Sequence, residues 1–367
     1  PQVGCWAGLS GASSIIFTVS ARAATLDSML VFVTTLAMLV FVVGGMAKQE
    51  KTGVTKGSLV ADRTEAPEPT SFRWPYALLF YALLGIAVLI KGPVGVALPV
   101  LAIGLFLAIV RRSRQAETAS DASSDGRRTG RLIAVARVFS PGNVFHTAWQ
   151  LRPITAVVVV AAIAVPWYVL VGLRTEGLFL QQFFGEENLG RALKPMQGHS
   201  GPFFYYIPAI LIGFFPWSVF LGPSLIEATR RIRQRREWSV ESIFALCWLA
   251  VFVGLWSIPS TKLPHYVLTA YPALALLTAV FVDAWIAEPA RMNRWWMRNA
   301  TLTMIVVGLG MVIALPIIAA IYLPGQWTLG LVGLILLVGG GWAFVSAERG
   351  HPRRAMATFA VTAVAFL

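Results

Sequence analysis

A few ionisable side chains are set apart in this sequence because apolar runs surround them. Arg22 and Asp27 lie in SARAATLD, Lys91 in IKGPVG, and Lys262 and His265 in STKLPHYVL. Between Gly185 and Gly201, five more ionisable groups, Glu186, Glu187, Arg191, Lys194 and His199, fall within fourteen positions. Lysine and arginine held in a partly dehydrated place can stabilise a leaving phosphate, and a carboxylate can orient or deprotonate a hydroxyl. Lys91 sits in a turn too short to be a free loop. It either reaches to the membrane interface along its aliphatic stem or holds an anion, with Gly92 allowing close backbone approach and Pro93 starting the next helix. Arg22 and Asp27 either pair with each other or leave Asp27 facing a polar cavity. Tyr205, Tyr206 and Trp217 suit an interfacial aromatic belt or stacking on a sugar ring. Taken singly, each charge could be a solvated surface group; their concentration is what argues for a site.

The elements that must position them are membrane spans. The chain has 367 residues, 57% hydrophobic and 13% charged, with a mean hydropathy of +0.70, whereas a soluble domain carries about 25% charged residues. Crossing about 30 Å of hydrocarbon takes roughly 17 to 25 apolar residues in a helix. Ten such runs lie near 1–21, 28–47, 74–90, 92–110, 154–172, 202–222, 242–259, 264–282, 300–322 and 327–346, with an eleventh, partial one at 356–367. The expected fold is all-α, a polytopic transmembrane bundle of 10 to 11 spans. The proline at position 1 and the apolar end at Leu367 give the expectation of a piece truncated at both ends.

Charge distribution orients the bundle. With the connections numbered alternately, the even ones hold 24 of the 30 Lys and Arg residues, the signature of cytoplasmic loops. The net charge of +13 is thus topogenic, and no nucleic acid partner is expected. The stretch 111–153, with RRSR and ETASDASSDGRR, reads as a basic low-complexity cytoplasmic loop touching lipid headgroups, with a surface-lying helix after it. The odd connections face outward, and 173–203 reads as the extracytoplasmic substrate loop, opening with a short interfacial helix at 178–191. Cys5 and Cys247 fall inside apolar spans as packing residues and form no metal or disulfide pattern. No phosphate-cradling or dinucleotide-binding glycine motif is present.

The pieces ARAATLDSMLVF, LIKGPVGVALPVL, EENLGR with GHSGPFFYY and FPWS, and STKLPHYVLTAYPALALL resemble the bacterial aminoarabinose (lipid A) transferase and dolichyl-phosphate-mannose protein mannosyltransferase superfamily. These are membrane glycosyltransferases of the GT-C type. The segments follow the family's order over roughly residues 10–285, and the aminoarabinose branch is the more similar. The resemblance implies a polyprenyl-phosphate-linked sugar donor, an acceptor that is a lipid, a glycan or a protein, and transfer at the periplasmic side of a bacterial inner membrane. It implies that Asp27 is the second acidic, catalytic position and that Lys91 and Arg191 contact the donor phosphate. Lys262 and His265 match a motif of the family at the same face, and with Arg22, Glu187 and Tyr205, read from the residues themselves, they are the further substrate-binding candidates. A divalent metal near the large loop is possible in such proteins, but Glu-Glu-Asn stands here where a histidine is often found. The family's principal catalytic acid, in the first outer loop, is expected upstream of residue 1. Two other classes compete: a transporter or flippase of a phosphate-bearing lipid, with its charges in a midplane cavity and two similar halves, and a structural polytopic subunit.

Overall fold

The computed structural model describes residues 2–46, 72–122, 138–193, 200–234 and 239–367. Among them every regular element is helical, and the one β-type pairing is an isolated antiparallel bridge between Ser200 and Thr261. Among the described residues, eight helices are long and apolar enough to cross a membrane, or ten if two bent pairs each count as one span. The chain is a multi-pass helical membrane protein. Its described helices fall in two compact units, one formed by Pro1–Ser28, Gly201–Leu249 and Leu263–Leu367, the other by Met29–Ser200 and Ala250–Lys262.

The second unit takes most of α3 (Leu26–Gly45), then α4 (Trp74–Lys91), α5 (Val94–Ala122), α6 (Pro141–Gln150), α7 (Pro153–Arg174) and a π-helical segment, α8 (Gln181–Gly190). Helices α4 and α5 form a hairpin closed by Lys91-Gly92-Pro93, and α7 lies along α4. Their backbones approach closely at Gly85, where a Cβ would stand 2.9 Å from Ile163, the small-residue contact by which helices associate in lipid. Phe41, Phe72, Phe80 and Phe106 pack edge-on or tilted in the core. Within the stretch read as a loop at 111–153, α5 continues to Ala122 and α6 forms an amphipathic helix. Asn143 ties α6 to α5 by donating to the Ala108 carbonyl at 3.3 Å, while Phe145 and Trp149 stack on its exposed face.

The first unit contains α1 (Gln2–Ala12), α2 (Ile15–Arg22), α9 (Tyr206–Gly213), α10 (Leu221–Gln234), the start of α11 (Ser239–Ser257), α12 (Tyr271–Ala287), α13 (Arg294–Tyr322), α14 (Leu331–Glu348) and α15 (Pro352–Phe366). The apolar runs at 1–21 and 202–222 are not straight spans. The first bends by 67° between α1 and α2, the second by 115° around Phe214–Pro216. Serines break the first: Ser10, Ser13 and Ser14 donate their hydroxyls back to carbonyls of the preceding turn, which competes with the helix ladder. Pro216, lacking an N–H, breaks the second. The breaks satisfy each other, since Ile15 N donates to the Phe215 carbonyl at 3.2 Å and Trp217 Nε1 donates to Ser13 Oγ at 2.8 Å.

Helices α13 and α14 meet along a glycine seam. A Cβ on Gly308 would lie 2.7 Å from the Gly333 carbonyl oxygen, whereas one on Gly310 would meet nothing within 4 Å. Overpacking such a contact costs about 1 to 3 kcal/mol. Gly308→Leu is therefore expected to lower the melting temperature in detergent, with Gly310→Leu close to the parent.

Candidate active site

In the second unit, the cationic residues are anchored around one short stretch, Trp256–Lys262. Lys91, the last residue of α4, places its Nζ 5.1 Å from the centroid of the Trp256 ring, a cation–π contact. Gly92 lets the chain turn there with φ +74°, and its missing Cβ leaves room for Asn188, whose side-chain oxygen would be 3.0 Å away. Asn188 is itself fixed by donating to the Phe183 carbonyl at 2.7 Å, and Tyr168 on α7 donates to the Val88 carbonyl at 2.9 Å. The aromatic side chains Trp167, Tyr168, Phe179, Phe183 and Phe184 pack together around this turn. Strain at a left-handed backbone position costs about 1 to 3 kcal/mol. Gly92→Ala should therefore weaken binding at Lys91 and lower thermal stability together.

Arg191 follows α8 directly. Its carbonyl accepts from Thr261 N at 3.2 Å, and Ser260 Oγ donates to the Leu193 carbonyl at 3.1 Å, so residues 191–193 are stitched to the same stretch that carries Trp256. The Arg191 guanidinium pairs with Glu187 one turn earlier, Nη2 to Oε2 2.6 Å. Glu187, read from the sequence as a substrate contact, thus orients the arginine. Its own side chain is 42% exposed, so the pair contributes little to stability.

Lys262 is 4% exposed, and its ammonium donates to the Ser257 carbonyl. A lysine just past a helix end satisfies a terminal carbonyl and suits the negative end of the dipole. Burial lowers its pKa. Between that depressed value and the ordinary lysine value of about 10.4, the unfolded chain binds more protons than the folded one, so stability rises with pH through this window. Lys262→Met should flatten that rise with little change in the melting temperature at neutral pH; a steep loss of stability instead would show that the carbonyl contact dominates.

The acidic residue lies in the first unit. Asp27 opens α3 and is 7% exposed. His265 Nε2 stands 3.3 Å from Asp27 Oδ2. Arg22 is exposed at the end of α2. The His265 ring meets Tyr266 edge-on, centroids 5.2 Å apart, and the buried Tyr206 hydroxyl lies within electrostatic reach of Asp27 and Tyr266. Tyr205 is half-buried and, with Ile15, Ile16, Val19, Ile212 and Pro264, lines an almost wholly apolar cleft of about 390 Å³. Lys194, Gln197 and His199 lie outside the described residues. Among the described residues, no group of three His, Cys, Asp or Glu side chains could hold a metal ion.

Sequence reasoning missed Trp256, Asn188 and the aromatic group around Tyr168. Trp256 lies in the last turns of α11 and reads as an ordinary span residue; its place six positions before Lys262 is the one signal that could have marked it.

No family model matches the chain. Over 195 residues, 52% of this chain and 34% of the relative, it is 33% identical to undecaprenyl phosphate-alpha-4-amino-4-deoxy-L-arabinose arabinosyl transferase 2 of Proteus mirabilis. The corresponding transferase of Pectobacterium carotovorum is 32% identical over 202 residues, 52% of this chain and 34% of the relative. The chain spans about a third of the length of these curated relatives. The crystal structure of ArnT from Cupriavidus metallidurans bound to undecaprenyl phosphate matches with a TM-score of 0.65 at 22% identity, over 100% of this chain and 57% of that one. The chain is similar in sequence to the bacterial aminoarabinose transferases over half its length and shares the polytopic helical fold of the ArnT structure.

Proposed function

We propose that this chain is the membrane part of a glycosyltransferase that moves a sugar, by analogy a pentose, from a polyprenyl-phosphate donor to an acceptor at the extracytoplasmic face of the bacterial inner membrane. The supporting observation is that Lys91 and Arg191, 100 positions apart in sequence, are both anchored to the Trp256–Thr261 stretch. A lysine over Trp256 and an arginine whose backbone is held at Thr261 suit a phosphate monoester leaving group, whose charge grows as the glycosidic bond lengthens. In the proposed step an acceptor hydroxyl oxygen forms the new bond to the anomeric carbon. The bond from that carbon to the phosphate oxygen breaks, its electron pair stays on polyprenyl phosphate, and Asp27 takes the hydroxyl proton. A single displacement of this kind inverts the anomeric centre.

A lipid transporter would place its cations mid-span. Here Lys91, Arg191 and Lys262 stand at helix ends and turns, and the two broken helices carry serine, aromatic and proline residues at their breaks. Binding of undecaprenyl phosphate to the purified full-length protein tests the phosphate assignment: saturable binding that Lys91→Ala and Arg191→Ala each weaken at least tenfold is expected, and equal binding in all three would overturn it. Orientation is tested separately with a cysteine at Ser200, in a background lacking Cys5 and Cys247. A membrane-impermeant maleimide should label it in intact cells lacking the outer membrane barrier; labelling only from the cytoplasmic side would reverse the topology.

A further inference from the structure

We propose that His265 is a positioning residue that fixes the Asp27 carboxylate for its work on the acceptor; this rests on the reading of Asp27 as the acceptor-activating group. A carboxylate that is 7% exposed is costly unless hydrogen-bonded, and His265 Nε2 lies 3.3 Å from its Oδ2. The imidazole is held in turn. Pro264 opens the 3₁₀ segment Pro264–Ala270 and fixes the backbone in front of it, and Tyr266 packs on the ring at an interplanar angle of 88°. The His265 side chain is 38% exposed and that of Asp27 10%, so the histidine is the more accessible member of the pair.

With Nε2–H donating to Oδ2, the plane of the carboxylate is set, and with it the direction in which its second oxygen meets a hydroxyl. Which ring nitrogen carries the proton is dictated by this contact. The arrangement inverts the familiar order in which a carboxylate orients a histidine: here the histidine orients the base. Misplacing a reacting group by about 1 Å can cost on the order of a hundredfold in rate, so the effect belongs on turnover and not on donor binding.

Two substitutions separate this role from packing. His265→Phe keeps an aromatic ring against Tyr266 and removes the donor; His265→Gln restores an N–H near the Nε2 position. In membrane vesicles containing the full-length protein, supplied with undecaprenyl phosphate-α-4-amino-4-deoxy-L-arabinose, His265→Phe should lower kcat at least tenfold with the donor KM within twofold, and His265→Gln should recover most of the loss. The nitrogen NMR spectrum of ¹⁵N-histidine-labelled protein gives a readout independent of the sugar. The sequence has four histidines, so the His265 signals are assigned by their loss in His265→Gln. They should report an Nε2-protonated ring whose shift changes in Asp27→Asn. Parent-like kcat in His265→Phe, or histidine shifts indifferent to Asp27→Asn, would overturn the inference. An Asp27→Asn protein with parental turnover would instead remove the role of Asp27 itself, and the inference with it; an inactive Asp27→Asn beside an active His265→Phe would remove His265 alone.

Discussion

Alanine at Lys91 is expected to cut sugar transfer at least a hundredfold, and alanine at Arg191 by a similar factor, with both proteins still inserted and folded. The magnitude follows from the charge that appears on the leaving phosphate: withdrawing one fixed donor from a developing anion in a dehydrated site costs about 10²- to 10³-fold in kcat. Folding should survive because the backbone around both residues is held by other groups. The turn at Lys91 is shaped by Gly92 and Asn188, and Arg191 joins Thr261 through its backbone carbonyl. Conservative replacements should separate the two. Lys91→Arg keeps a cation able to lie over Trp256 and should retain part of the activity. Arg191→Lys loses the planar fork that meets two phosphate oxygens at once and should remain poor. Parental turnover in both alanine variants would remove the phosphate-binding assignment.

Asp27→Asn is expected to lower kcat by about 10²- to 10⁴-fold, the usual range for removing a general base, while leaving the protein at least as stable. Asparagine has the shape of aspartate, its carbonyl oxygen can still accept from His265 Nε2, and one buried charge disappears. Binding of undecaprenyl phosphate should be retained in this variant. Loss of turnover with retained phosphate binding separates a defect in acceptor activation from a defect in the donor site.

The membrane architecture was legible in the sequence because it rests on the length and apolarity of runs, which the bilayer thickness dictates directly. All ten runs correspond to helical segments. The two bends were not legible, because a serine pair or a proline in an apolar run is also compatible with a continuous helix. They become decisive only when the partner break supplies the missing hydrogen bonds, as Phe215 does for Ile15. The candidate residues stood out by charge against an apolar background, but their pairings did not. Asp27 was read beside Arg22, five residues away, whereas His265, which tertiary packing brings from far along the chain, stands 3.3 Å from its carboxylate. Lys262 was read as a substrate contact from its motif; its burial and its bond to Ser257 add a helix-capping duty that charge alone could not reveal. Trp256 was hidden because a tryptophan near the end of a span is ordinary in any membrane protein.

The meeting of the two helix breaks has a consequence for how the protein is made. At 1.5 Å per residue, the eight residues of Tyr206–Gly213 and the eight of Ile15–Arg22 reach only about 12 Å into a hydrocarbon layer of about 30 Å. Neither half-helix can seal its own ends against lipid, and Ser13 and Trp217, which clasp each other, are separated by 204 positions. The Ser13–Ser14 corner therefore gains its Trp217 partner only after the ribosome has made 204 residues beyond Ser13.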